Sequence, residues 1–235
     1  MLTTLGFVLN KKNVLEYNKE YCFFTKKYGK ICLLAKSVRK PLSKLSAQLE
    51  PPSLIEIVFV PNNEKGLITV ALAKKSYFKI RKNLDKLKTY LYICRVINTF
   101  TDFKHPDIST WNLLYSSVRD LEKLDAKIVE INFLAKFLKI LGFTPNISNC
   151  INCQTKIENQ KNIYFDKERW GFCCDKCKNS KTELVPWQTF KAMDVLIKMP
   201  LKEIYIKELN DPIILRYKDI KNMLEKYFKQ IKKYF

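Results

Sequence analysis

YCFFTKKYGKICLLAK, residues 21–36, holds two short apolar runs separated by lysines, a tyrosine and a glycine. Gly29 has no Cβ and takes positive φ at little cost, which a tight turn requires, so the stretch predicts a β-hairpin. TLGFVL (residues 4–9) precedes it, and LIEIVFV (54–60) and LITVAL (67–72), joined by PNNEKG (61–66), follow it. Four or five short strands in about 75 residues, with no crossover helix between them, fit a closed antiparallel barrel better than a βαβ sheet. Small barrels of this kind often carry oligonucleotides.

From Leu84 the apolar period becomes helical: Leu84, Leu87, Leu91, Val96 and Phe100 fall on or near one stripe that ends near Thr101–Pro106. A second helix is predicted from Trp111 to Lys123, and a third, capped by Asp125, through Ile128, Ile131, Leu134, Leu138 and Leu141 to a stop at Gly142 and Pro145. Residues 186–199 and 212–235 again read as helical, so the intervening cysteine-rich segment is an insertion in one bundle. The fold class is therefore mixed α+β. Residues 1–80 form a barrel domain and residues 81–235 a helical domain, with an inserted hairpin over residues 146–180.

The chain of 235 residues has 47% hydrophobic residues, enough for a real core, and a formal net charge of +20. No charged leader precedes the first apolar run, and lysines interrupt every apolar stretch before it could span a bilayer, so secretion and membrane spanning are not expected. A cytoplasmic, nucleic-acid-handling protein is expected, because a field of this sign attracts polyanions. A lysine-rich codon bias would spread the charge evenly. Instead residues 1–80 carry 14 basic against 5 acidic residues, nearly half the total excess.

Cys150-Ile-Asn-Cys153 and Cys174-Asp-Lys-Cys177 are two CxxC knuckles separated by twenty residues, the spacing of a four-thiolate zinc site. Each knuckle turns two sulfurs toward one tetrahedral centre, and IYFDKERWGF (163–172) between them reads as strand, turn and strand. One structural zinc ion per chain is expected, since four thiolates leave no open coordination position. The competing readings are two disulfides, disfavoured in a reducing compartment, and a redox dithiol, which needs a CxxC at a helix start. Only Cys174 with Cys177, not Cys173, gives the two-residue gap. Cys22, Cys32 and Cys94 lie in apolar patterns and read as small buried hydrophobes.

Between two predicted strands, Lys36, Arg39, Lys40 and Lys44 place four cations with no acid before Glu50. Loop charges have little structural work in a barrel, so these four are the candidate nucleic-acid contacts. Tyr17, Tyr21, Phe23, Phe24 and Tyr28 flank them and could stack on bases, though a small barrel needs most of its aromatics inside.

Enzymatic readings find few residues. The five glycines, at positions 6, 29, 66, 142 and 171, are too dispersed for a phosphate-cradling loop, and the single histidine, His105, reads as a loop residue before a proline. Pro106-Asp107 with Asp125-Ala-Lys127 matches a loose metal-nuclease pattern, but Asp125 and Lys127 open a periodic helix, where an N-cap Asp is ordinary. No catalytic residue is assigned and no small-molecule substrate is expected. A metal-dependent nuclease and a zinc-ribbon protein of translation or transcription stand as alternatives.

Leu141-Gly-Phe-Thr-Pro-Asn146, the two knuckles and Phe165-Asp-x-Glu-x-Trp-Gly171-Phe together resemble the RecO family of bacterial recombination mediators. Phe24-Thr-x-x-Tyr-Gly29-Lys-Ile-x-x-x-Ala-Lys36-x-x-Arg39-Lys40-Pro, then Leu49-Glu-Pro-Pro, resembles the same family's opening barrel. Trp170 and Ser37 stand where that pattern has glycine. The resemblance implies an OB-fold domain, a helical domain with a zinc insertion, and a non-enzymatic role in the RecFOR pathway of DNA repair. It further implies binding of single- and double-stranded DNA, annealing of single strands, and partnership with RecR and the C-terminal tail of the single-stranded-DNA-binding protein (SSB). RecA loading at gaps and a nucleoid-associated location follow from the same resemblance.

Overall fold

Pleated strands β1 (Leu2–Val14), β2 (Asn18–Thr25) and β3 (Gly29–Ala35) run as an antiparallel meander, and β4 (Ser53–Val60) and β5 (Gly66–Ser76) complete a closed barrel in the order β1-β2-β3-β5-β4. This computed structural model describes residues 1–62, 65–166, 168–207 and 209–234. Residues 63 and 64 of the predicted β4–β5 connection, residue 167 of the predicted hairpin turn and residue 235 of the last predicted helix lie outside the described residues. The β2–β3 turn is the predicted one: Thr25 faces Gly29, whose φ is +62°. A Cβ at Gly29 would lie 2.1 Å from the His105 carbonyl oxygen, so glycine is needed there for space as well as for conformation.

Inward positions of every strand fill the barrel: Val8, Tyr21, Phe23, Ile31, Leu33, Ile55 and Ile57 are all buried in one cluster. A short helix, α1 (Lys44–Gln48), follows the loop after β3, and Val38 and Leu49 on either side of it drop into the same cluster. The sequence reading missed α1, which at five residues carries no period. It also expected every strand pair to be antiparallel, whereas β3 and β5 close the barrel in parallel, pairing Leu33–Leu34 with Gly66–Leu67.

After the barrel come α2 (Phe78–Lys82), α3 (Leu84–Phe100) and α4 (Ile108–Leu121). Asn83 caps α3 by accepting from the Lys86 amide at 3.0 Å. The buried face of α3 carries Tyr90, Ile93, Cys94, Ile97 and Phe100, while Leu84 and Leu91 are exposed. The predicted stripe was therefore set partly on the wrong side, because tyrosine and cysteine were not counted into it. Asp107 caps α4, accepting from the amides of Ser109 (2.9 Å) and Thr110 (3.2 Å). Phe7 of β1 packs its ring against Trp111 (5.8 Å) and Tyr115 (6.5 Å) of α4.

These helices belong with the barrel, for the chain divides into two compact units, Met1–Ala126 and Lys127–Tyr234. Secondary structure changes from strand to helix near residue 80, as the sequence predicts, but compactness divides the chain later. In the second unit α5 (Ala126–Ile140) buries Ile128, Ile131, Leu134 and Leu138. It ends on Gly142 (φ +83°), whose amide donates to Lys139 O (3.1 Å) while that of Phe143 donates to Leu138 O (2.8 Å). A three-stranded sheet of β6 (Ile163–Asp166), β7 (Gly171–Cys174) and β8 (Thr182–Val185) follows in the order β7-β6-β8. Four helices complete the unit: α6 (Trp187–Lys198), α7 (Leu201–Ile206), α8 (Asn210–Leu215) and α9 (Tyr217–Ile231). The buried Glu130 carboxylate receives Lys221 Nζ at 2.6 Å and the Tyr217 hydroxyl at 3.1 Å. Burial works against the Lys221 charge, yet these two partners hold it above the ordinary ammonium value. Among the described residues no helix is long and apolar enough to cross a membrane.

Candidate functional site

The sulfurs of Cys150, Cys153, Cys174 and Cys177 all lie within 4.8 Å of one another. A tetrahedron with metal–sulfur bonds of about 2.3 Å has edges of about 3.8 Å, so the four fit one ion. Local backbone builds each half. In the first knuckle the Cys150 amide donates to Thr155 O (2.8 Å), the Gln154 amide donates to Cys150 O (3.0 Å), and Gln154 takes φ +61° to turn the chain back. The amides of Asn152 and Cys174 both point at Cys150 Sγ from 3.5 Å, and amides aimed at sulfur favour a thiolate.

Strand pairing brings the second knuckle to the first. Ile163 faces Cys174 across β6–β7, and Ile151 N donates to Phe172 O at 3.0 Å. A Cβ at Gly171 would come 2.3 Å from Ile151 Cγ2, so the close approach of the two segments demands glycine. The preceding Trp170 has φ +52°, the left-handed conformation that costs any residue with a Cβ. Packing holds it there: the indole stacks on Tyr227 at 3.6 Å, meets Phe165 edge-on at 4.7 Å, and donates from Nε1 to Phe143 O at 3.0 Å.

Charge decides what the site can hold. Hydrogen bonds from Thr155 push the Cys153 thiol down to about 6, while the neighbouring sulfurs of Cys153 and Cys174 push Cys177 up to about 12. Four thiolates cannot ionise together so close unless a dication offsets them. Cys173, next in the chain, points to the other face of β7, is fully buried and is pushed up to about 11 by that burial. The four predicted cysteines thus form a cluster that could hold one metal ion, which when bound would cross-link the two knuckles. Glu20, Cys22 and Cys32 also lie within 4.8 Å of one another. Glu20 already carries Lys12 (3.0 Å) and Lys65 (2.6 Å), which oppose a cation.

Cys22 and Cys32 correct the sequence reading. They are half-exposed, face each other across β2–β3 with Cα atoms 4.0 Å apart, and form a disulfide. Their apolar neighbours suggested burial because the strand register was not known. Cys94 is fully buried as expected, and burial pushes it up to about 12.

Lys36, Arg39, Lys40 and Lys44 are all exposed, the first three on the loop between β3 and α1 and Lys44 at the first position of α1. The loop is pinned to the β1–β2 turn: Ser37 (φ +52°) donates from its amide to Asn18 Oδ1 at 2.9 Å, and Arg39 Nη1 donates to Glu16 O at 2.8 Å. Arg39 therefore also has a structural role. Lys40 Nζ lies 5.5 Å from the centroid of the Tyr17 ring, which is 44% exposed. Tyr21, Phe23 and Phe24 are buried and Tyr28 half-buried, leaving Tyr17 as the accessible aromatic of that group. Asp107 of the nuclease pattern is engaged in capping α4.

Sequence reasoning overlooked Phe103 and Lys104, which line a cleft in the barrel wall together with Lys12 and Lys65. They stand in the polar break before Pro106, which reads only as a loop.

Known proteins resemble most of the chain. The family model Recombination protein O N terminal matches residues 1–77, and Recombination protein O C terminal matches residues 81–230. The DNA repair protein RecO of Caldicellulosiruptor saccharolyticus is 29% identical over 200 residues, covering 85% of this chain and 81% of its own. That of Caldicellulosiruptor bescii is 27% identical over 205 residues (87% and 83%), and that of Acetivibrio thermocellus 25% over 217 residues (91% and 86%).

Proposed function

The chain belongs to the recombination protein O family, which supports a role in DNA repair and recombination, and from that premise we propose that it binds and anneals single-stranded DNA without breaking or making covalent bonds. The observation that carries this reading is the set of exposed cations Lys36, Arg39, Lys40 and Lys44, on a segment pinned to the closed barrel beside an accessible tyrosine. Two strands repel each other through their phosphates, so a protein that neutralises phosphate lowers the barrier to their meeting. Ammonium groups on a loop do this without ordering the bases, which stay free to pair. The zinc expected at Cys150, Cys153, Cys174 and Cys177 has a structural part in this scheme, with no open position for substrate.

The fuller reading places the protein with RecR, helping to load RecA on gaps coated by SSB, and holding the SSB tail on its helical unit, in the cytoplasm at the nucleoid. What supports it is membership of the family. Double-stranded DNA is bound through the same phosphate contacts.

The test mixes labelled complementary oligonucleotides, bare or coated with SSB, with purified protein and no nucleoside triphosphate. Accelerated annealing, and retention of SSB and RecR on the immobilised protein, are expected. Annealing at the spontaneous rate with neither partner retained sinks the reading, and labelled DNA cut into fragments revives the nuclease.

A further inference from the structure

Among the described residues the parallel strands β3 and β5 pair at Leu33–Leu34 with Gly66–Leu67. The rest of that edge of β3 is covered by the connection between α3 and α4. Lys104 N donates to Lys30 O at 2.9 Å, and Phe103 bridges to Lys30 in the manner of a parallel strand. Beside this seam lies a cleft of about 390 Å³ with an apolar floor of Ile31, Leu33 and Phe59. That volume is within the roughly 300–1,000 Å³ usual for small-ligand clefts.

Phe103 forms one wall of the cleft and is 60% exposed, unusual for an aromatic held so firmly. The Lys30 ammonium lies 4.4 Å from the ring centroid, is itself 6% exposed, and is anchored by donating to Asn98 O at 2.9 Å. A buried cation thus fixes the ring from one face while most of it stays open to solvent. Around the mouth stand Lys104, Lys12 and Lys65, the last two positioned by the buried Glu20 carboxylate, so the rim keeps a positive excess. A flat aromatic wall, an apolar floor and ammonium groups at the rim match a ligand that is planar on one side and anionic on the other.

We propose that this cleft takes one unstacked nucleotide of a single strand, its base lying on Phe103 and its phosphate among Lys12, Lys65 and Lys104. The proposal rests on the nucleic-acid-binding reading above and adds to it a contact with base faces, which the charged groups of the loop do not themselves supply. A duplex hides those faces, so the cleft selects single strands. Lys30 is the positioning residue for the ring.

The experiment measures binding of full-length protein to a labelled oligothymidylate, to an abasic oligomer of equal length, and to thymidine monophosphate as competitor. Phe103→Leu is expected to weaken oligothymidylate binding about tenfold, within the range of one lost base stack, and to leave the abasic oligomer and the salt dependence unchanged. Phe103→Trp should keep the preference for bases, and Lys30→Met should lose most of it while the protein still melts cooperatively. Equal weakening of both oligomers by Phe103→Leu, or of neither, overturns the proposal. So does micromolar displacement by thymidine monophosphate, which would make the cleft a mononucleotide site. Removing the loop lysines should weaken both oligomers alike and leave the base preference intact. A loop without effect therefore leaves the cleft standing, whereas wild-type protein that binds neither oligomer defeats both readings.

Discussion

Ser37 and Trp170, two of the five non-glycine residues with positive φ among the described residues, hold left-handed conformations that glycine adopts freely, and they do so for different reasons. Ser37 (φ +52°) is exposed and contributes through its backbone: its amide donates to Asn18 and its carbonyl accepts from the Lys40 amide, both of which glycine would keep. Trp170 (φ +52°) is buried and stacked on Tyr227. Ser37→Gly should therefore stabilise the protein by up to about 1 kcal/mol in urea unfolding, since the strain is relieved and nothing is lost. Trp170→Gly relieves about 1–2 kcal/mol of the same strain but forfeits about 3–5 kcal/mol of buried aromatic packing, so it should destabilise. A second prediction concerns Glu20, buried under two lysines. Burial alone would raise its carboxyl, but hydrogen bonds and charge from Lys65 and Lys12 outweigh it and hold the group below its ordinary value of 4.5. A depressed folded value means stability present above 4.5 and lost as pH falls through the folded value. Glu20→Gln should thus cost about 1 kcal/mol at pH 7, and the gap from wild type should close in acid melts below the usual carboxylate range. A gap independent of pH would show that packing, not charge, makes the contribution. Both departures from glycine were visible in the sequence, but what the larger side chains touch was not. Cys22 and Cys32 were misread for a related reason, because which residues face each other depends on register.

The zinc hairpin is the element most legible in sequence, since both knuckles are local turns whose geometry is fixed within four residues. The pairing of β6 with β7 followed from the strand-turn-strand pattern between them. The third strand, β8, and the short helices α1 and α7 went unseen, because segments of four to six residues show too little period to separate from loop, while α8 fell mostly inside the single helix predicted over residues 212–235. Metal binding is expected to stabilise this element rather than the barrel, since all four sulfurs belong to the second unit. Purified, reduced protein should contain one zinc ion per chain. Chelation, or Cys150→Ser or Cys177→Ser, should abolish cooperative melting of the second unit while the first retains its own transition. Near-zero metal in fresh protein that still melts fully would show that hydrogen bonds and packing alone hold the knuckles. Asp107 makes a parallel case in the first unit: Asp107→Ala should lower stability by about 1 kcal/mol through the lost cap of α4, with annealing unaffected.

Across the whole chain, the barrel and the helices were legible because period two gives way to period 3.6 at one place, near residue 80. The division into compact units at residues 126 and 127 was not, since it depends on which helix faces the barrel packs against, and no local pattern reports that. Charge distribution raises the remaining question, whether an excess of +20 acts at one place or everywhere. The structure sharpens the mutant that decides it. Arg39 holds the loop to the β1–β2 turn, so removing it would confuse lost phosphate contact with lost order. Lys36, Lys40 and Lys44 are exposed and can be replaced by alanine at little cost to stability. Each phosphate released from a single strand changes the logarithmic salt slope by roughly 0.7, so the triple mutant should flatten it by about two units. Diffuse charge predicts instead the same loss from any three exposed lysines, such as Lys218, Lys229 and Lys232. Fluorescence anisotropy over a salt series on both triple mutants separates the two. A slope flattened only in the loop mutant places the phosphate contacts on the barrel, and equal slopes would assign the binding to the field of the whole molecule.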